Sequence, residues 1–154
     1  MSPKSPLHVL VADSAQLRSQ LLTTALGRRP GFHVSQCLLD SAHILEAARS
    51  QPVDVVLADV ERHEELATEL QHLRHVHLLS PRLRIVLLVS SYNRELVTQA
   101  FRSGVRGLFC FSTDDFRALC KCLQCVQRGQ VWANSEQLGM VLESLGQSDR
   151  KSVV

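Results

Sequence analysis

Short apolar runs rich in β-branched residues alternate along this chain with segments whose apolar positions recur at helical spacing, and this alternation sets the fold class. Leu7–Ala12 reads as a buried strand, and Ala15–Leu26 follows with Leu17, Leu21, Leu22, Ala25 and Leu26 at helical spacing. Arg29-Pro30-Gly31 breaks that helix before a weaker strand, Phe32–Cys37. Asp40 is placed to cap a helix carrying Ile44, Leu45, Ala47 and Ala48, and Val53–Ala58 is a third strand. A helix from about Glu64, with Leu66, Leu70 and Leu73 on one face, leads to the strand Ile85–Val89. The fourth helix carries Leu96, Val97, Ala100 and Phe101 and stops at Gly104, and Gly107–Phe111 is the fifth strand. Ser112 and Asp115, at capping-box spacing, open a helix with Phe116, Leu119, Cys120, Leu123 and Val126 inward and Gly129 as its stop.

Strands without polar alternation are covered on both faces, so the pattern predicts an α/β fold with a three-layer, doubly wound, five-stranded parallel sheet. Beyond it, Ser135 is read as the cap of a linker helix through Met140, Val141, Leu142 and Leu145, and Gly146–Lys151 as a polar linker. The expected organisation is a disordered stretch over 1–6, one domain over 7–130, and an extended segment, linker helix and tail over 131–154.

Composition narrows the function classes. At 154 residues with 45% hydrophobic and 21% charged content, the chain is a globular domain, and its +2 charge is too small and scattered to argue for nucleic acid. No apolar run approaches the ~20 residues of a membrane span, and residues 1–7 lack a secretory signal, so a cytoplasmic protein is expected. Five cysteines, three of them crowded at Cys120, Cys122 and Cys125, read as reduced thiols. On a helix Cys120 and Cys122 point roughly 200° apart, so the cluster does not converge on a metal.

Ligands of such sheets bind beyond the carboxyl ends of the strands. There stand Asp13, Asp59, Ser90 and Phe111, and two acids at one sheet edge call for a cation or a shared function. The run Val-Leu-Val-Ala-Asp13, then Pro30-Gly31-Phe32, then Pro52-Val-Asp54-Val-Val-Leu-Ala-Asp59 resembles the receiver domain of bacterial response regulators. Gly104-Val-Arg-Gly107-Leu-Phe resembles that family's approach to its fifth strand, and Gly129-Gln-Val-Trp132 resembles regulators carrying a LuxR-type helix-turn-helix. The likeness covers residues 7 to about 145. It implies a flavodoxin/CheY-like fold, a phospho-acceptor at Asp59, and a Mg²⁺ ion held by Asp13, Asp59 and the backbone carbonyl of Glu61. It also implies Ser90 as the hydroxyl contacting the phosphoryl group and a sensor histidine kinase as donor. A homodimer, and DNA contact through a C-terminal domain absent from this chain, complete the implied picture; no enzyme activity beyond this switch and no membrane partner are expected.

The departures from the family pattern are as specific as the likeness. Its second metal-site acid falls at Ser14, its lysine at Phe111, its aromatic switch residue at Leu108, and its Met-Pro-Gly loop at Glu61-Arg62-His63-Glu64-Glu65. Losing a carboxylate weakens Mg²⁺ binding, and losing the lysine removes a charge-assisted bond to phosphate. Arg62 or His63 are the basic residues nearest in sequence to replace it. Two functions follow: a phospho-switched input domain acting by a population shift around the fourth helix, fifth strand and fifth helix, or a phosphorylation-independent dimerisation and docking module. A small enzyme on the same sheet is disfavoured, because no glycine-rich phosphate loop follows the first strand. The residues alone leave open that Asp59 is a plain strand-end acid and Asp13 a helix N-cap. His72 and His75 share a helical face and read as solvated surface, and Trp132 as a packing residue.

Overall fold

A computed structural model of the chain describes residues 5–60 and 66–152, without the side chains of residues 16, 17 and 147–152. Five strands alternate with helices: β1 (Leu7–Asp13), α1 (Gln16–Gly27), β2 (Phe32–Cys37), α2 (Ser41–Ser50), β3 (Val55–Asp59), α3 (Leu66–Leu79), β4 (Arg84–Val89), α4 (Arg94–Arg102), β5 (Gly107–Cys110), α5 (Phe116–Gln127) and α6 (Ser135–Ser152). All neighbouring strands pair in parallel, in the order β2-β1-β3-β4-β5. The expected three-layer α/β sheet is therefore the observed one.

The pleat explains why the strands needed apolar residues at every position. Leu10, Ala12, Val56, Ala58, Ile85, Leu87 and Leu108 point into one core, shared with Ile44, Leu70, Leu73, Val76, Leu96 and Val97. Val9, Val11, Val55, Leu57, Val86, Leu88 and Phe109 point into the other, against Leu26, Leu119, Leu123 and Val126. Each fully buried aliphatic side chain is worth roughly 1.5–3 kcal/mol of transfer free energy, so the two cores hold the layers together.

Several local readings are corrected. Asp115, not Ser112, caps α5, accepting from the Ala118 amide at 2.9 Å. The capping box lies instead at Asn134 and Gln137, each side chain accepting from the other's amide at 2.8 and 2.9 Å, so Ser135 is the first helical residue rather than the cap. Residues 146–151, read as linker, continue α6 to Ser152. Cys122 is fully buried, so Cys120 and Cys122 both face inward despite their angular separation. Asp40 caps α2 as expected, accepting from the His43 amide at 2.7 Å. Burial acts to raise its carboxyl pKa, but the bonds from His43 outweigh that and hold it below the usual range.

Two close contacts fix how α3 sits against α2 and against the end of α4. His72 Nδ1 accepts from the Ser41 amide at 3.1 Å, tying α3 to the start of α2, so this histidine is a packing group and not part of a solvated pair. Gly104 turns the chain out of α4 at φ +97°, and a Cβ there would lie 2.4–2.7 Å from His77. Gly104→Ala combines left-handed strain with that collision and is expected to cost about 2–4 kcal/mol, read as a lower midpoint in urea unfolding.

Candidate functional site

In the order β2-β1-β3-β4-β5 the winding direction reverses between β1 and β3, which makes their carboxyl ends the expected place for a ligand site. Asp13 and Asp59 close these two strands and are Cα partners in the register. Both are 1% exposed. Paired parallel strands lie about 4.8 Å apart, so the fold itself sets two carboxylates side by side away from water.

Each carboxylate has a distinct environment. Asp13 Oδ1 accepts the Ala15 amide at 2.8 Å, bridging the turn into α1. It is not the N-cap: Ala15 occupies that place and provides no side-chain cap. Asp13 Oδ2 is buried and finds no hydrogen-bond donor among the described residues. Asp59 Oδ2 lies 3.1 Å from Nε of Arg18, whose side chain is 32% exposed. The Arg18 guanidinium carbon in turn stands 6.0 Å from the centre of the Phe111 ring. Phe111 meets Phe109 edge-on at 6.0 Å between ring centres.

The remaining predicted residues fall around this pair with different fates. Ser90 follows β4 and is exposed, and its carbonyl accepts from the Cys110 thiol at 3.3 Å. Ser14 is exposed beside Asp13. Phe111 lies just past β5 rather than within it and is 40% exposed. Leu108 is 2% exposed, inside the α3–α4 core. Glu61, Arg62 and His63 lie outside the described residues.

Arg18 is the residue that sequence reasoning missed, and a signal for it existed. It sits in the first turn of a helix that has no acidic residue in that turn. A cation at the positive end of a helix is unfavourable unless an anion compensates it, and the anion is Asp59.

With Arg18 in place, the divalent cation that the receiver likeness implies does not fit these residues. Mg²⁺ demands near-octahedral oxygen coordination. Here one Asp13 oxygen is engaged by a backbone amide, Ser14 brings no charge, and a guanidinium already lies against Asp59. Among the described residues no group of three His, Cys, Asp or Glu side chains is arranged to hold a metal. A separate groove of about 480 Å³ between α3 and α4, lined by residues such as Leu70, Arg74, Asn93 and Gln99, includes neither carboxylate.

The thiols make no site either. Cys110, Cys120 and Cys122 are buried and Cys37 and Cys125 half-buried, all reduced. Burial raises the Cys122 thiol strongly and pushes Cys37 up to about 11, with the Asp40 charge adding to the second effect. With a disulfide reagent at pH 8, Cys125 is expected to react first, and the three buried thiols only at the rate of unfolding.

No protein-family profile and no curated protein matches the chain. Solved structures do match it. A LuxR-family two-component response regulator from Aurantimonas sp. SI85-9A1 superposes with a TM-score of 0.72 at 16% identity, over 91% of this chain and 98% of that one. The isolated receiver domain of RcsB from Salmonella enterica serovar Typhimurium, with the phosphomimetic BeF₃⁻, gives 0.69 at 14% identity, over 89% and 99%. A putative pilus assembly-related protein from Burkholderia pseudomallei gives 0.70 at 19% identity, over 87% and 98%. Among the described residues no helix is long and apolar enough to cross a membrane. The fold is that of response-regulator receiver domains, built around a buried Asp13–Asp59 pair and a guanidinium.

Proposed function

We propose that this chain is a receiver-type signalling module that works as a phosphorylation-independent docking and dimerisation domain. The observation that carries this reading is the state of the face where a phospho-switch would deliver its output. Leu108 replaces the family's aromatic switch residue and is buried to 2%. Its amide donates to the Trp132 carbonyl at 2.9 Å, while the Trp132 amide donates to the Arg106 carbonyl at 3.0 Å. The segment after α5 is thereby stitched along the open edge of β5.

The same segment delivers α6 onto α4. Tyr92 donates to Glu136 at 3.0 Å and accepts from Asn134 at 3.2 Å, Arg94 pairs with Glu143, and Arg102 donates to Ser144 at 3.0 Å. Each exposed pair is worth little by itself, but Met140 and Val141 pack against the sheet core beneath them. A switch needs an element with two arrangements of similar energy. A leucine locked in the core between paired backbones offers one, since exposing it costs about 2 kcal/mol before any bond is broken.

The second reading keeps Asp59 as a phospho-acceptor served by a histidine kinase. It is supported by the retention of Asp13, Asp59 and an exposed hydroxyl at Ser90. The two readings separate in one experiment. Wild type and Asp59→Asn are incubated with acetyl phosphate and Mg²⁺, followed by intact mass, light scattering for oligomeric state, and hydrogen exchange over α4–α6. The docking reading predicts no phosphoryl adduct, one oligomeric state shared by both proteins, and unchanged exchange. An Asp59-dependent adduct that alters the oligomer or the α4–α6 protection would establish the phospho-switch instead.

A further inference from the structure

We infer that Arg18 is the resident cation of this site, its guanidinium standing where a receiver would hold both a divalent ion and a lysine. This deepens the proposed function at its input end, since a site that carries its own cation needs neither metal nor phosphate.

The case begins with charge. Asp13 and Asp59 are 1% exposed and occupy matched positions on adjacent strands. Two buried carboxylates side by side are tolerated only with a cation or with a proton shared between them. Arg18, with Nε 3.1 Å from Asp59 Oδ2, provides that cation as an ion pair. Among the described residues, two carboxylates and one guanidinium leave a formal charge of −1 at the site. A divalent ion would have to displace the guanidinium to regain the field it requires.

Phe111 belongs to the same arrangement. As a replacement for a lysine it is otherwise a loss, because an apolar ring cannot bond a phosphoryl oxygen. Its ring lies 6.0 Å from the Arg18 guanidinium carbon, at the outer range of a cation–π contact, and covers one side of that group. Phe109 meets the ring edge-on from within β5 and is fully buried. Arg18 is thus held between an anion and an aromatic face, and the changes at Ser14 and Phe111 have a common explanation. Without a metal the second acid has no role, and with Arg18 against Asp59 the lysine's positive charge is already provided there.

Thermal unfolding of the full chain with EDTA or millimolar Mg²⁺ tests the inference, comparing wild type with R18A, R18K and R18A/D59N. Wild type should be indifferent to Mg²⁺. R18A should melt about 3–6 °C lower in EDTA and regain most of that loss with Mg²⁺, the vacated site now admitting the ion between two carboxylates. R18K, which keeps a cation, should remain indifferent to Mg²⁺, and R18A/D59N should lose the Mg²⁺ response because the paired charge is gone. An R18A protein that folds only with Mg²⁺ supports the inference equally. Stabilisation of wild type by Mg²⁺ to the same extent as R18A overturns it, as does an R18A protein that is indifferent to Mg²⁺ or a double variant that responds as R18A does. These outcomes concern the cation alone; the docking function stands or falls separately on the Asp59→Asn comparison of oligomeric state and α4–α6 protection.

Discussion

Two carboxylates held in register by a parallel sheet are the constraint on which the rest of this structure depends. Asp13 and Asp59 cannot move apart, because the residues preceding them on β1 and β3 are fully buried and paired along the strands. Nor are they solvated, since both are buried. The only remaining freedom is in what neutralises them. A receiver-like answer would be a divalent ion with further acids and a lysine. This chain answers from α1, with a side chain that leaves the first helical turn and reaches Asp59.

That choice has consequences across the molecule. A guanidinium is permanently charged and is delivered by the fold itself, so the site has no natural empty state for a ligand to fill. In the proposed reading, an input that does not change is matched by a closed face around α4, β5 and α6. Leu108 is locked in the core, Trp132 is paired along β5, and α6 is bonded to α4 through Tyr92, Arg94 and Arg102. Leu108 and Phe109, neighbours on β5, face opposite cores. What α6 leaves exposed is a row of leucines, Leu138, Leu142 and Leu145.

Much of this was legible in the sequence, and the reasons are physical. Strands buried on both faces must be apolar at every position, so β1, β3 and β4 stood out by composition, and the acids at their ends were placed by the same runs. Caps were less certain, because Ser112 and Asp115 satisfy the same local pattern that Asn134 and Gln137 satisfy, and only tertiary context chooses between them. The inward position of Cys122 was hidden because α5 packs by a face broad enough to include residues 200° apart in an ideal projection, roughly speaking. Arg18 was missed for a different reason. Its partner lies far along the chain, and long basic side chains on helices are normally solvated, so only the mismatch with the helix dipole marked it.

A double-mutant cycle on Arg18 and Asp59, using R18A, D59N and the pair in urea unfolding without divalent ions, measures the central interaction most directly. The account predicts a favourable coupling of about 1–2 kcal/mol that largely survives high salt, because one partner is buried. A coupling indistinguishable from zero would show that the guanidinium does not neutralise Asp59, and the account would then lose its foundation.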